Sequence, residues 1–405
     1  MYLCTKYNVV FFFLSPFYGY VTNIKSLFGN YIWDYYANTI LNYTYALTSF
    51  FLGYLLFLNK RKKVKLISIQ NYEKFSINFV RVGMLIGVLA YVLWGITSGK
   101  SLQNIFLLGL LGFQDKVNTA VELGGNNYLK LMIEIFIPIL SLALFTSMKK
   151  IEFSFWLLIT IVIYLSQGFR YRIVLLLISF SLIYLFRNKV SINKILKLSL
   201  LVIPILILLL EFTQYRKSIR QSVVGIQTEF QVNDRPIFDT LFASSRNYLA
   251  NASLIKYMVE ENITYGYGDT MIMQVFIRMM PSSMFNNGVK PDPRGLMISN
   301  KSWGNRDAMY AGEAYDAVGG AYYELGSLGV IIFFLLLGFI VGYVNRKMYS
   351  AKNVEQFVLY VIIISSFFQL LTRGYLPQFF FTFGFMMLPF IIIKLRKSKK
   401  VVIHV

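Results

Sequence analysis

An all-α polytopic membrane protein, about ten transmembrane helices with one large extracytoplasmic loop, is the fold class this sequence predicts. Three observations predict it. Hydrophobic residues make up 56% of the chain and the mean hydropathy is +0.56, with uncharged runs of roughly 17–22 residues, long enough to cross a bilayer core. Lys/Arg clusters recur at Lys60–Lys65, Lys149–Lys150, Arg187–Lys197, Arg346–Lys352 and Lys394–Lys400, and placing all of them on one face demands an even number of crossings between them. That face then carries 22 Lys/Arg against 3 acidic residues, and the opposite face 18 against 16. The resulting +19 and +2 account for the whole formal charge of +21. A bias of this kind marks the clustered face as cytoplasmic. The basic balance is therefore a matter of topology, and no nucleic-acid partner is expected.

The spans fall at 5–21, 38–58, 76–97, 129–147, 152–168, 171–186, 198–213, 325–344, 355–372 and 377–393. Residues 1–213 thus carry helices 1–7, residues 214–325 the large loop, and residues 326–405 helices 8–10 with a basic tail. Both termini are cytoplasmic in this scheme. The first apolar run follows Lys6 and lacks a small-residue cleavage site, so it reads as a signal anchor. Between 98 and 128 the apolar run Ile105–Phe113 is too short to span and suits the membrane interface. The loop from 214 to 325 opens with Arg216, Lys217 and Arg220. It then offers an amphipathic helix capped by Asp239, with Leu241, Phe242, Leu249, Ala252 and Ile255 on one face. Turns follow at Gly266–Gly268 and Gly288, and prolines at Pro281, Pro291 and Pro293. A structureless loop of that length is rare in a compact protein, so this one is expected to fold and to carry function.

One cysteine (Cys4) and one histidine (His404, on the cytoplasmic tail) occur in the chain. Intrachain disulfides, thiol metal clusters and outer-face histidine chemistry are thereby excluded. No Asp-x-Asp pair occurs either, so neither a metal nor any other cofactor is expected. Four outer positions instead hold arginine where hydrocarbon makes charge costly. They are the hairpin turn Ser166-Gln167-Gly168-Phe169-Arg170-Tyr171-Arg172, Arg246 after two serines in the loop, Arg278 in an apolar run, and the turn Thr372-Arg373-Gly374-Tyr375. Each arginine alone could be reaching for water or headgroup from a helix end. As a set they run against the charge bias, and a planar guanidinium suits bidentate binding of phosphate. We expect Arg170, Arg172 and Arg373 to share an anion site.

The acids gather at the loop's end, where Glu313 and Asp316 share a face if the segment is helical and Tyr310, Tyr315, Tyr322 and Tyr323 surround them. Carboxylates among aromatics suit sugar recognition and general-base work on a hydroxyl. A solvated stretch balancing Arg294, Lys301 and Arg306 is the bland alternative. Charge on a leaving diphosphate would be met by arginine.

The short hairpin Gly168-Phe169-Arg170-Tyr171-Arg172 and the late Arg373-Gly374 turn carry a resemblance. So does the loop end, which runs from Glu313 through Tyr322-Tyr323-Glu324-Leu325-Gly326-Ser327-Leu328-Gly329 into an apolar span. With the span layout, they resemble the Wzy-type polysaccharide repeat-unit polymerases, related to the O-antigen ligases. The resemblance implies a membrane-embedded, glycosyltransferase C-like fold in the bacterial cytoplasmic (inner) membrane and an inverting, metal-independent transfer. Donor and acceptor would be undecaprenyl-diphosphate-linked oligosaccharides, with membrane lipid and a chain-length regulator protein as further partners. By position, Arg170, Arg172, Arg246 and Arg373 would bind diphosphate or glycan, joined by Arg278, Tyr322 and Tyr323. Glu313, Asp316 and Glu324 would supply the catalytic base, in that order of preference. The ligase branch usually shows a histidine in the large loop, and this loop has none. Other readings are an O-antigen ligase-like transferase, a non-enzymatic polysaccharide or lipid transporter, and an outer-face acyltransferase. The transporter would call for paired halves with broken helices, and the acyltransferase for an intramembrane histidine.

Overall fold

The computed structural model describes residues 30–58, 75–97, 127–167, 170–187, 247–295 and 315–402, together with Leu200 and Ile298. Every regular element among the described residues is helical. In chain order the principal ones are α1 (Asn30–Leu58), α2 (Ile77–Thr97), α3 (Asn127–Leu131), α4 (Phe136–Ala143), α5 (Lys150–Ser166) and α6 (Arg170–Arg187). They continue with α7 (Asn247–Glu260), α8 (Gln274–Met279), α9 (Ala317–Tyr349), α10 (Val354–Arg373) and α11 (Leu376–Val402). A 3₁₀ turn, Met132–Ile135, joins α3 to α4, and a π turn, Asp269–Met273, leads into α8.

Five stretches are long and apolar enough to cross a membrane: Tyr35–Phe57, Ile77–Thr97, Ala317–Tyr349, Val354–Arg373 and Leu376–Arg396. They overlie the expected spans at 38–58, 76–97, 325–344, 355–372 and 377–393. The expected spans at 129–147, 152–168 and 171–186 coincide with α3–α4, α5 and α6. Those at 5–21 and 198–213, and the run Ile105–Phe113, lie outside the described residues. Several boundaries differ: α1 begins at Asn30 and α11 runs on to Val402, beyond the predicted 38 and 393, and α9 begins at Ala317 but breaks at Leu325 and Gly326, where Gly326 has φ 63°. A glycine takes that positive φ without a Cβ clash, so the loop's end and the span are two helices that meet there, the second starting at the predicted boundary. The expected loop helix is α7. Its Ala252 and Ile255 are buried, while Asp239, Leu241 and Phe242 lie outside the described residues.

The chain divides into two compact units. The first comprises Met1–Lys65, Pro236–Lys347 and Ser366–Phe380. Here α1 is turned inside out relative to a soluble helix: Tyr36, Thr39, Asn42, Tyr43 and Ser49 are buried while Leu41, Leu52, Leu55 and Leu56 are exposed. Lipid accepts the leucines, and the polar groups find partners in protein. Among them, Thr39 Oγ1 donates to the Tyr35 carbonyl at 3.1 Å and Asn42 Nδ2 to that of Asn38 at 2.8 Å. α1 packs on α7, where Tyr36 meets Tyr248 edge to face, centroids 6.0 Å apart. It also approaches α9 closely. A Cβ on Gly53 would come within 2.1 Å of the Leu335 carbonyl oxygen, and one on Gly338 within 2.1 Å of that of Phe50. Small residues at such crossings let two membrane helices touch backbone to backbone.

The second unit comprises Leu66–Arg235, Met348–Ser365 and Phe381–Val405. In α2, Val80, Met84, Gly87, Tyr91 and Trp94 recur every three or four residues and are buried, whereas Val82, Leu85, Ile86, Leu89, Leu93 and Ile96 are exposed. The buried stripe faces α3 and α4, and Gly87 makes room for the Phe136 ring. Arg81 grips Glu152 with two hydrogen bonds, at 2.6 and 2.9 Å. Asn353 caps α10 by accepting the Gln356 amide at 2.9 Å.

Candidate functional site

Within the first unit, Asp316 stands immediately before α9. An aspartate there accepts the free amides of the first helical turn: Oδ1 takes Val318 N at 2.8 Å and Gly319 N at 3.3 Å. The same oxygen accepts Asn251 Nδ2 of α7 at 2.7 Å, and Oδ2 accepts the Tyr43 hydroxyl of α1. Tyr43 in turn accepts a second Asn251 hydrogen at 2.9 Å. Asp316 is 1% exposed. Burial raises its pKa to about 6 against the pull of those donors. The turn between α10 and α11 closes over it: Gly374 has φ 58°, and a Cβ there would meet the Asp316 carbonyl oxygen at 2.2 Å. The adjacent Tyr315 is fully buried, in a cluster with Leu254, Met258 and Tyr323.

Glu324 closes a second cap. Oε2 accepts Gly268 N at 2.5 Å and Oε1 accepts Met271 N at 2.7 Å, so this carboxylate holds the start of the π turn. The backbone on either side is paired as well, Gly266 N to the Tyr323 carbonyl and Tyr267 N to that of Glu324, both at 3.0 Å. Asp269 accepts Tyr323 OH at 3.1 Å and Thr270 Oγ1 at 2.8 Å. Tyr322 meets Tyr265 edge to face.

The arginines of this unit lie near that frame. The charge of Arg278 on α8 acts on Tyr375, in the same turn as Arg373 and Gly374, while burial raises the Tyr375 pKa. Lys290 Nζ donates to the Arg278 carbonyl at 2.8 Å, and burial together with the Arg278 charge depresses its pKa. Arg373 is exposed and has no ion-pair partner among the described residues. The structure thus joins Arg278, the Arg373 turn, Asp316, Tyr322, Tyr323 and Glu324 through one set of neighbours.

Arg172 belongs to the second unit and is 2% exposed. Its Nε meets Oε1 of Glu134, itself 0% exposed, at 2.6 Å. The Tyr171 hydroxyl donates to the same oxygen at 3.4 Å, Tyr164 donates to the Ile133 carbonyl at 3.1 Å, and both rings lie within 6 Å of the guanidinium. Beside them Tyr91, Ser166 and Gln167 form a buried hydroxyl–amide chain, at 2.6 and 3.2 Å. The helix backbone of Arg170 is described but its side chain is not, and Arg246 and Glu313 lie outside the described residues.

Sequence reasoning passed over Tyr43, Glu134, Asn251 and Asp269. Glu134 had a signal: a lone carboxylate in an apolar span needs a cationic partner. Tyr43 and Asn251 had none that separates them from the many other polar residues of α1 and α7. Among the described residues no three His, Cys, Asp or Glu side chains group as a metal site requires. Over residues 1–403 the chain matches the family model described as O-antigen polysaccharide polymerase Wzy. No curated protein and no solved structure matches it.

Proposed function

The chain belongs to the Wzy family of O-antigen polysaccharide polymerases, and on that footing we propose that it joins undecaprenyl-diphosphate-linked repeat units at the outer face of the cytoplasmic membrane. It is a membrane polymerase by family and by its apolar helices. Ten spans, a glycosyltransferase C-like fold, cytoplasmic termini and a chain-length regulator as partner complete the reading. The Arg81–Glu152 pair supports the topology, since it brings together the first turns of α2 and α5, which a ten-span order starts from the same side.

The growing glycan would move by its reducing-end sugar onto a hydroxyl of an incoming unit, with inversion and without a metal. The observation that carries this reading is the junction of the acidic loop end with the late arginine turn, Gly374 lying on Asp316, with the Arg278 charge acting on Tyr375 next to it. On this reading, cations for a leaving diphosphate would lie beside the segment that holds the candidate bases. Arg278 and Arg373 would hold the diphosphate, joined by Arg170 and Arg246, while Arg172 is engaged by Glu134. Tyr322 and Tyr323 would face the glycan.

The three carboxylates divide by what they already accept. Asp316 and Glu324 have both oxygens engaged by hydrogen-bond donors, which suits holding a frame better than receiving a proton. That favours Glu313, three residues upstream, as the base. General-base help is worth about 10²–10⁴-fold. Polymerisation of purified lipid-linked repeat units in a chelator-containing buffer tests the whole reading. Wild type is expected to build ladders there, Glu313→Gln to lose at least a hundredfold in rate at unchanged melting temperature, and Arg373→Ala to make none. Ladders that need an added divalent cation, or that persist in Glu313→Gln, would refute the metal-free step or the base.

A further inference from the structure

The segment that follows Gly268 turns a mixed face inward and an apolar face outward. From Thr270 to Met279, the residues Thr270, Met271, Gln274 and Val275 are buried in the first unit, while Ile272, Met273, Phe276 and Met279 are exposed on the other side. At about 100° per residue the exposed four fall in an arc of roughly 120°. Phe276 alone is 56% exposed, and Met280, Met284 and Val289 continue the apolar surface. An exposed patch of that size needs an occupant.

The position of the segment says which. Glu324 holds its first turn, through the amides of Gly268 and Met271, and the next residue, Leu325, begins the exposed apolar stripe of α9 that continues through Leu328 and Ile332. The segment is therefore pinned level with the start of that stripe. Arg278 falls on the other side of the turn, toward buried Gln274, and Lys290 donates to its carbonyl, so the exposed arc itself carries no charge. We propose that Ile272–Met284 is a membrane-interface segment that buries Ile272, Met273, Phe276 and Met279 in the lipid at the bilayer surface. The inference rests on the chain being a membrane protein and not on the transfer chemistry.

The test uses the full chain with Cys4→Ser and single cysteines, Phe276→Cys or Met279→Cys, with Asn286→Cys and Glu261→Cys as exposed polar references. Each is nitroxide-labelled and reconstituted into phosphatidylethanolamine–phosphatidylglycerol vesicles without polyprenyl carrier. Collision rates with oxygen and with a water-soluble nickel chelate are then compared. Labels at 276 and 279 are expected to favour oxygen at least threefold more than those at 286 and 261. Equal ratios at all four positions would overturn the proposal. So would labels that turn lipid-like only after undecaprenyl diphosphate is added, which would make the carrier chain the occupant, or labels shielded from both probes, which would point to a second protein. Polymer formation is not read, so failure here leaves the polymerase reading untouched.

Discussion

Glu134→Gln isolates the buried pair of the second unit. The variant keeps the volume of the side chain and removes the charge that faces Arg172 at 2.6 Å, where the two groups are 0% and 2% exposed. At that separation and an effective dielectric of about 20, the attraction is on the order of 6 kcal/mol. Removing one partner of a buried pair, and so leaving an uncompensated charge, costs about 3–5 kcal/mol. At roughly 2–4 °C per kcal/mol for a domain of this size, the melting temperature should fall by about 6–20 °C. Arg172→Gln should do the same. The double variant should lose much less than the two singles together, with a coupling of at least ~2 kcal/mol. Melting of the detergent-solubilised full chain, followed by size exclusion, measures all three. A Glu134→Gln protein that melts within about 2 °C of wild type, or a coupling below about 0.5 kcal/mol, would refute the argument. Arg172 would then be released for the anion role its position in the sequence suggests.

Three further outcomes follow from the first unit. Asp316 has a folded pKa near 6, above its ordinary 3.8, so its neutral form is favoured by folding. Its contribution to stability is complete below about 3.8 and is lost as pH rises through about 6; wild type should gain stability over Asp316→Asn between pH 7 and pH 5, and an opposite slope would contradict the burial. Gly374→Ala must place a Cβ against the Asp316 carbonyl at φ 58°, and should melt at least ~5 °C lower with polymer yield falling in step; an unchanged protein would show that the turn can open. Gly338→Leu drives a side chain into the α1 backbone and should abolish accumulation of folded protein in the membrane fraction, whereas Leu336→Ala, at an exposed position, should not.

Spans were legible because hydropathy sums over many residues, and α1, α2, α10 and α11 lie close to where it placed them. Which side of a span faces protein was not legible. A window average treats Asn42 and Leu41 as neighbours, although one is buried and the other faces lipid. The acidic loop end was found, but its chemistry was read from residue type alone. An aspartate just ahead of a helical run is a cap before it is a base, and that cue was available at Asp316-Ala317-Val318-Gly319. Pairings across long stretches of chain, such as Arg172 with Glu134 or Asn251 with Asp316, leave no mark on local pattern.

The bond from Tyr43 to Asp316, with Asn251 completing the triangle, bears on how this protein can be engineered. The large loop is not a cassette. Exchanging residues 214–325 with those of a relative, in order to change which sugars are joined, would leave Tyr43 behind on α1 and the Gly374 turn behind after α10. A working chimera would have to carry those positions with the transplanted segment, or recruit a donor that already has a matching hydroxyl and glycine there.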